Sequence, residues 1–228
     1  VPRPPLRQIV ADALRVLTFR RPSAALGVHQ GAYLAFGFAF TWLAGVGRYW
    51  DNPRAHLWQY AGLGSVIYVI VLAAILWVLI LPLKPQRWSY RNVLLFVTLT
   101  SPPALLYAIP VEQFLTLETA QRVNVWFLGI VALWRVALLV WFLRVLARLR
   151  WYPVLIATLL PIALIVLALA FLNLEHVVFE IMAGNRPDSR SANDAAYRIV
   201  TLLALGSALV GPLLLILYLV EAFRCHRR

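Results

Sequence analysis

Six stretches of this chain stay apolar for about twenty residues each, the length a helix needs to cross a hydrocarbon layer roughly 30 Å thick. They run over 25–46, 61–81, 92–110, 123–143, 153–172 and 199–220, with mostly short segments between them. In lipid, every backbone N–H and C=O must be bonded within the protein, so such stretches fold as helices or as closed barrels. None of the six alternates polar and apolar residues with period two, which leaves helices. The sequence therefore predicts an all-α integral membrane protein, a six-helix transmembrane bundle. Composition agrees: 62% of the 228 residues are hydrophobic and 13% charged, against a charged share of about a quarter in soluble domains.

A net charge of +12 would suggest nucleic acid in a soluble chain, so its placement matters. With the amino end in the cytoplasm, the inner segments hold Arg3, Arg7, Arg15, Arg20, Arg21, Lys84, Arg87, Arg91, Arg144, Arg148, Arg150, Arg224, Arg227 and Arg228. The outer segments hold Arg48, Arg54, Arg122, Arg186, Arg190 and Arg198, and Arg135 lies within a span. Fourteen basic residues inside against six outside satisfy the positive-inside rule with both termini cytoplasmic. The charge is thus a cytoplasmic collar, and no nucleic-acid partner is expected. All the basic residues but Lys84 are Arg, a bias that fits a GC-rich bacterial coding sequence and hence a bacterial inner membrane.

Ahead of the spans, residues 1–24 read as an amphipathic helix. Leu6, Val10, Leu14 and Leu17 recur on one side with Ile9, Ala13 and Val16 beside them, and Arg7, Asp12 and Arg15 stand opposite. With Arg20 and Arg21 at its end, this helix suits either the inner headgroup layer, where apolar burial and anionic-lipid attraction add, or packing on the bundle. Residues 25–220 form the membrane domain and 221–228 a basic cytoplasmic tail.

Arg135 falls near the middle of the fourth span, where a guanidinium costs about 2.5 kcal/mol or more unless it faces inward and finds partners. The third span carries Thr98, Ser101, Pro102 and Pro103 at its midpoint. The prolines there free the carbonyls of Thr98 and Leu99 from helical bonds, making them acceptors for Arg135. Pro161 and Pro212 lie near the middle of the fifth and sixth spans. Broken helices around a polar midplane group resemble the substrate sites of transporters, and they serve equally as a structural kink. Gly37, Gly45 and Gly47 with small neighbours permit close helix contact.

The outer face carries Asp51, His56, Glu112, Glu175, His176 and Glu180 as candidate contact residues. His176 and Glu180 share a helical face at four-residue spacing and are the candidate ligands should a divalent metal bind, although no HExxH or ExxH spacing is present. No metal, haem or other cofactor is expected, since no two histidines lie within the bilayer. One Cys in the chain excludes an intrachain disulfide. No nucleophile–base constellation and no phosphate-binding Gly loop occurs, so enzyme chemistry is unsupported.

From about Tyr49 to Val220 the chain resembles the Yip-domain family of multi-span membrane proteins. The resemblance is carried by Tyr49-Trp50-Asp51-Asn52-Pro53 before Leu57-Trp58 and by Trp88-Ser89-Tyr90-Arg91-Asn92-Val93-Leu94 leading into a Pro-containing span. Val125-Trp126 through Trp134, then Leu143-Arg144, Leu149 and Trp151, extend it. That family has five core spans, to which this chain adds the Gly-rich stretch 25–46. The resemblance implies binding to other membrane proteins or self-association, beside the lipid bilayer itself. The expected function is a non-catalytic inner-membrane scaffold or modulator of a complex, with a small-solute transporter or channel built on the Arg135 midplane as the alternative.

Overall fold

A computed structural model describes residues 4–47, 56–171 and 194–227, and among these every regular element is helical. The principal helices are α1 (Leu6–Leu17), α2 (Gln30–Gly47), α3 (Leu63–Ile80), α4 (Tyr90–Leu99), α5 (Leu117–Trp141), α6 (Trp151–Phe171) and α7 (Asp194–Arg227). Among the described residues, four segments are long and apolar enough to cross a membrane: Leu63–Leu83, Glu118–Leu146, Trp151–Ala168 and Thr201–Arg227. The chain is therefore a helical membrane protein. The two other expected spans have a different character. α2 has 18 residues, but Gln30, Thr41 and four glycines dilute its apolar content. The stretch 92–110 divides into α4, which is 10 residues long and so about 15 Å, and a 3₁₀ segment, Pro102–Ala108.

The main core joins α3, α4, α5 and α6. Val69, Ala73, Leu76 and Ile80 of α3 meet Val93, Phe96 and Val97 of α4, with Leu138, Leu139, Phe142, Val154 and Ala157 closing the cluster. Phe96 stacks on Phe142 with ring centroids 4.2 Å apart. α5 widens into a π turn at Phe142–Leu146, and Arg144 secures the bend that follows. Its guanidinium donates to the Leu149 carbonyl at 2.6 Å and lies over the Trp151 ring. α7 packs chiefly on α6, through Leu214 and Tyr218 against Leu160 and Ala163.

One end of this bundle is basic. The Gln86 N–H donates to the Ala147 carbonyl, which brings the α3–α4 connection, with Lys84 and Arg87, and Arg91 at the start of α4, to the same end as the α5–α6 connection, with Arg144, Arg148 and Arg150. Arg150 in turn shares a cleft with Arg224 of α7. Residues assigned by sequence to one membrane face thus gather in space.

α1 packs on the bundle, one of the two placements its sequence leaves open, but with only part of its apolar arc. It buries Ile9, Asp12, Ala13, Val16 and Leu17, and leaves Leu6 67% and Leu14 55% exposed. The apolar arc is wide enough to be divided, one half packed on protein and the other, Leu6, Val10 and Leu14, uncovered. Asp12, expected opposite the apolar side, stands at the edge of the buried half for a reason given below. The helix ends in a Schellman turn, with the Phe19 N–H on the Val16 carbonyl and the Arg20 N–H on the Arg15 carbonyl. Phe19 takes the left-handed position at φ 59°.

Among the described residues, the buried Thr158 Oγ1 on α6 has no hydrogen-bond partner. Thr158→Val keeps the shape and removes an unsatisfied hydroxyl, so thermal unfolding in mild detergent should show a gain of about 1 kcal/mol. A loss would mean that the hydroxyl has a partner in the membrane.

Candidate functional site

The break after α4 is built by its own sequence. Pro102 and Pro103 lack the N–H groups that would have bonded the carbonyls of Thr98 and Leu99, and residues preceding proline disfavour the helical region. The Ser101 hydroxyl compensates by donating to the Thr98 carbonyl at 2.6 Å, beside the Ser101 N–H at 3.1 Å. From α2, the Thr41 hydroxyl lies 2.9 Å from the Gly37 carbonyl and 3.0 Å from Ser101 Oγ, so its one proton is shared between them. Thr98 donates to the Leu94 and Leu95 carbonyls, and Thr100 to the Val97 carbonyl. All four hydroxyl residues are buried. This is a chain of neutral hydroxyls ending on backbone, bonded to no acid or base among the described residues, and it fastens α2 to α4.

The two backbones approach closely at this point. A Cβ added at Gly37 would lie 2.6 Å from Thr98 Oγ1 and 2.7 Å from Thr98 Cβ. The same helix makes two more such contacts, Gly45 on the Gly62 carbonyl and Gly47 on Ala108. The Gln30 amide adds a bond to Asn92 Oδ1 at 2.9 Å.

Arg135 is not a member of this network. It is half-buried and lies at helical spacing from Val131, Leu138 and Leu139 on the packed face of α5. Among the described residues it makes no hydrogen bond or ion pair. The Thr98 carbonyl expected to receive it is occupied by Ser101. Its neighbour Trp134 donates from Nε1 to the Leu17 carbonyl at 3.0 Å, which ties the end of α1 to α5.

A second polar centre, not identified from sequence, is Asp12. Its carboxylate is fully buried and accepts four bonds. Oδ1 takes the Ser23 N–H at 2.8 Å and an Arg15 guanidinium N–H at 3.1 Å. Oδ2 takes the Ser23 hydroxyl at 2.5 Å and the Tyr33 hydroxyl at 2.6 Å. Burial pushes the carboxyl up, but the bonds from Ser23, Tyr33 and Arg15 outweigh it and hold the group below the usual carboxylate range. α1, the connection after it and α2 therefore meet at one carboxylate. Periodicity alone could not reveal this, because the donors lie 11 and 21 residues away.

Of the outer-face candidates, His56 is exposed and opens the short helix Leu57–Tyr60. Glu112 lies in the 3₁₀ turn Val111–Gln113. Asp51, Glu175, His176 and Glu180 lie outside the described residues, so the metal candidates His176 and Glu180 are not placed. Among the described residues, no three His, Cys, Asp or Glu side chains converge on a common point. Arg7, Arg15, Arg20 and Arg21 are exposed on and after α1. The chain matches no family model, and no curated protein or solved structure proves similar to it.

Proposed function

We propose that the chain is a non-catalytic, multi-pass inner-membrane protein of a bacterium that scaffolds or modulates a membrane protein complex. One contrast carries the reading. The hydroxyls of the α4 break are consumed by internal bonds, whereas Arg135 sits within a span without a bonded partner among the described residues. A guanidinium at such a position needs an acceptor, and a carboxylate or carbonyl on a neighbouring membrane helix supplies one. The resemblance to the Yip-domain family points the same way, towards binding of other membrane proteins or self-association.

In this reading the chain crosses six times. α2, and α4 with its 3₁₀ extension, are each about 27–29 Å long, which matches the hydrocarbon core. The basic end is cytoplasmic, as are both termini. α1 lies at the inner surface, with Leu6, Val10 and Leu14 towards acyl chains and Arg7, Arg15, Arg20 and Arg21 towards lipid phosphates. A second reading, a small-solute transporter, is favoured by the same unbonded Arg135 in a bundle with one proline-broken helix.

Purification from native membranes in mild detergent, with quantitative mass spectrometry, tests the choice. Wild type should bring a membrane protein, or a second copy of itself, in fixed proportion, and Arg135→Leu should lower that recovery about tenfold. A protein that comes away alone in both cases loses the scaffold reading. Solute flux into proteoliposomes that disappears with Arg135→Leu would establish the transporter.

A further inference from the structure

At the basic end, α6 and α7 part to leave a half-open cleft of about 230 Å³ lined by Arg150, Tyr152, Pro153, Glu221, Arg224 and Cys225. We infer that this cleft is a binding site for the phosphate of an anionic phospholipid, clasped between Arg150 and Arg224. The volume is below that of a drug-sized pocket and suits a phosphate with its glycerol, leaving acyl chains outside. Two guanidinium groups face one carboxylate, so the cleft has an excess of positive charge.

Glu221 offsets one of the two positive charges without using up the donors of Arg224. Their single contact is 3.8 Å long, and Arg224 remains 66% exposed while Glu221 is only 16% exposed. The pair sits at i,i+3 spacing on α7 and aims Arg224 while leaving most of its five donors for a ligand. Guanidinium pairs with phosphate oxygens in a two-pronged geometry that an ammonium cannot reproduce.

The surroundings select a lipid over a free anion. From Tyr152 in the cleft, Leu155 and Leu159 follow on α6 at i+3 and i+7 and all three are exposed; on α7, Val220 and Leu213 are exposed along the row beneath Arg224. A lipid seated with its phosphate in the cleft lays an acyl chain along these apolar side chains. Inorganic phosphate would leave them uncovered.

The site lies on other helices than Arg135, so it is tested apart from partner binding. Purified full-length protein is equilibrated with phosphatidylglycerol or phosphatidylcholine in detergent, and retained lipid is counted by native mass spectrometry. Phosphatidylglycerol should be retained preferentially, and the double variant Arg150→Gln, Arg224→Gln should lower its retention about tenfold. Arg91→Gln, which removes an exposed charge elsewhere at the same end, should leave it unchanged. Cys225, the chain's one cysteine, gives a second readout, since bound phosphatidylglycerol should slow its alkylation by maleimide and phosphatidylcholine should not. Equal retention of the two lipids, or equal loss in the Arg91 variant, overturns the assignment. So does protection of Cys225 by inorganic phosphate with no preference between lipids.

Discussion

Asp12→Ala should detach α1 from the bundle and cost roughly 3–5 kcal/mol, the usual price of removing one partner from a buried charged network. The loss is large because three donors are stranded together. The Tyr33 hydroxyl is buried at the start of α2, and the Ser23 N–H and hydroxyl both point at the vanished carboxylate. Arg15, half exposed, contributes little of this, because solvent screens its charge. Two measurements read the effect: the unfolding midpoint in mild detergent, and the rate of trypsin cleavage after Arg15, which α1 protects while it is folded and docked. If Asp12→Ala unfolds like wild type and Arg15 stays protected, the carboxylate is not what holds α1.

The same group fixes an acid dependence. Its pKa is lower in the folded chain than in the unfolded one, so the unfolded state binds the proton first and stability falls with pH. Its contribution is complete above the ordinary Asp value of about 3.9 and is lost as pH drops through the folded value. Docking of α1 should weaken below about pH 4 in wild type. In Asp12→Asn it should be weaker at neutral pH and insensitive across that window. An unchanged pH profile in Asp12→Asn would assign the acid sensitivity to other carboxylates.

The particular residues show why some features were legible in the sequence and others were not. The four long helices are written in long, predominantly apolar runs, broken at mid-span in one of them by Arg135, because a lipid-crossing helix needs no partner to declare its length. The gathering of basic residues follows from the same runs through the alternation of connections. The end of α4 was signalled by Ser101-Pro102-Pro103, a local effect of missing N–H groups. Ser101 itself takes the Thr98 carbonyl expected for Arg135, and what is not legible is the fastening of that hydroxyl to Thr41, 60 residues away. The burial of Asp12 is hidden from the sequence for a related reason. Periodicity assigns a charged residue to the polar side, and only tertiary partners make its burial favourable. Leu6, Val10 and Leu14 show the converse, an apolar stripe that folding within one chain leaves uncovered.

The crossing of α2 and α4 offers a test in which opposite signs are expected from one substitution type. Gly37→Ala adds a Cβ within 3.0 Å of three atoms of Thr98, among them its Cβ and its backbone carbon. None of these is the loose end of a flexible side chain, so the helices themselves must move apart, and the Thr41–Ser101 bond stretches with them. Overpacking of this kind costs roughly 2–3 kcal/mol, more than the few tenths to 1 kcal/mol that alanine gains over glycine in a helix (about 0.5–1). At Gly31, towards the start of the same helix, the nearest atom is the tip of Arg91 at 4.0 Å, so Gly31→Ala should stabilise by about 0.5 kcal/mol. The cause can be isolated by coupling Gly37→Ala to Thr98→Gly. Removing the Thr98 side chain clears two of the three close contacts, and a double-mutant cycle should return about 1–2 kcal/mol of the first loss. If the two losses simply add, the crossing is looser than the 2.6 Å approach implies, and the hydroxyl chain rather than backbone proximity holds α2 to α4.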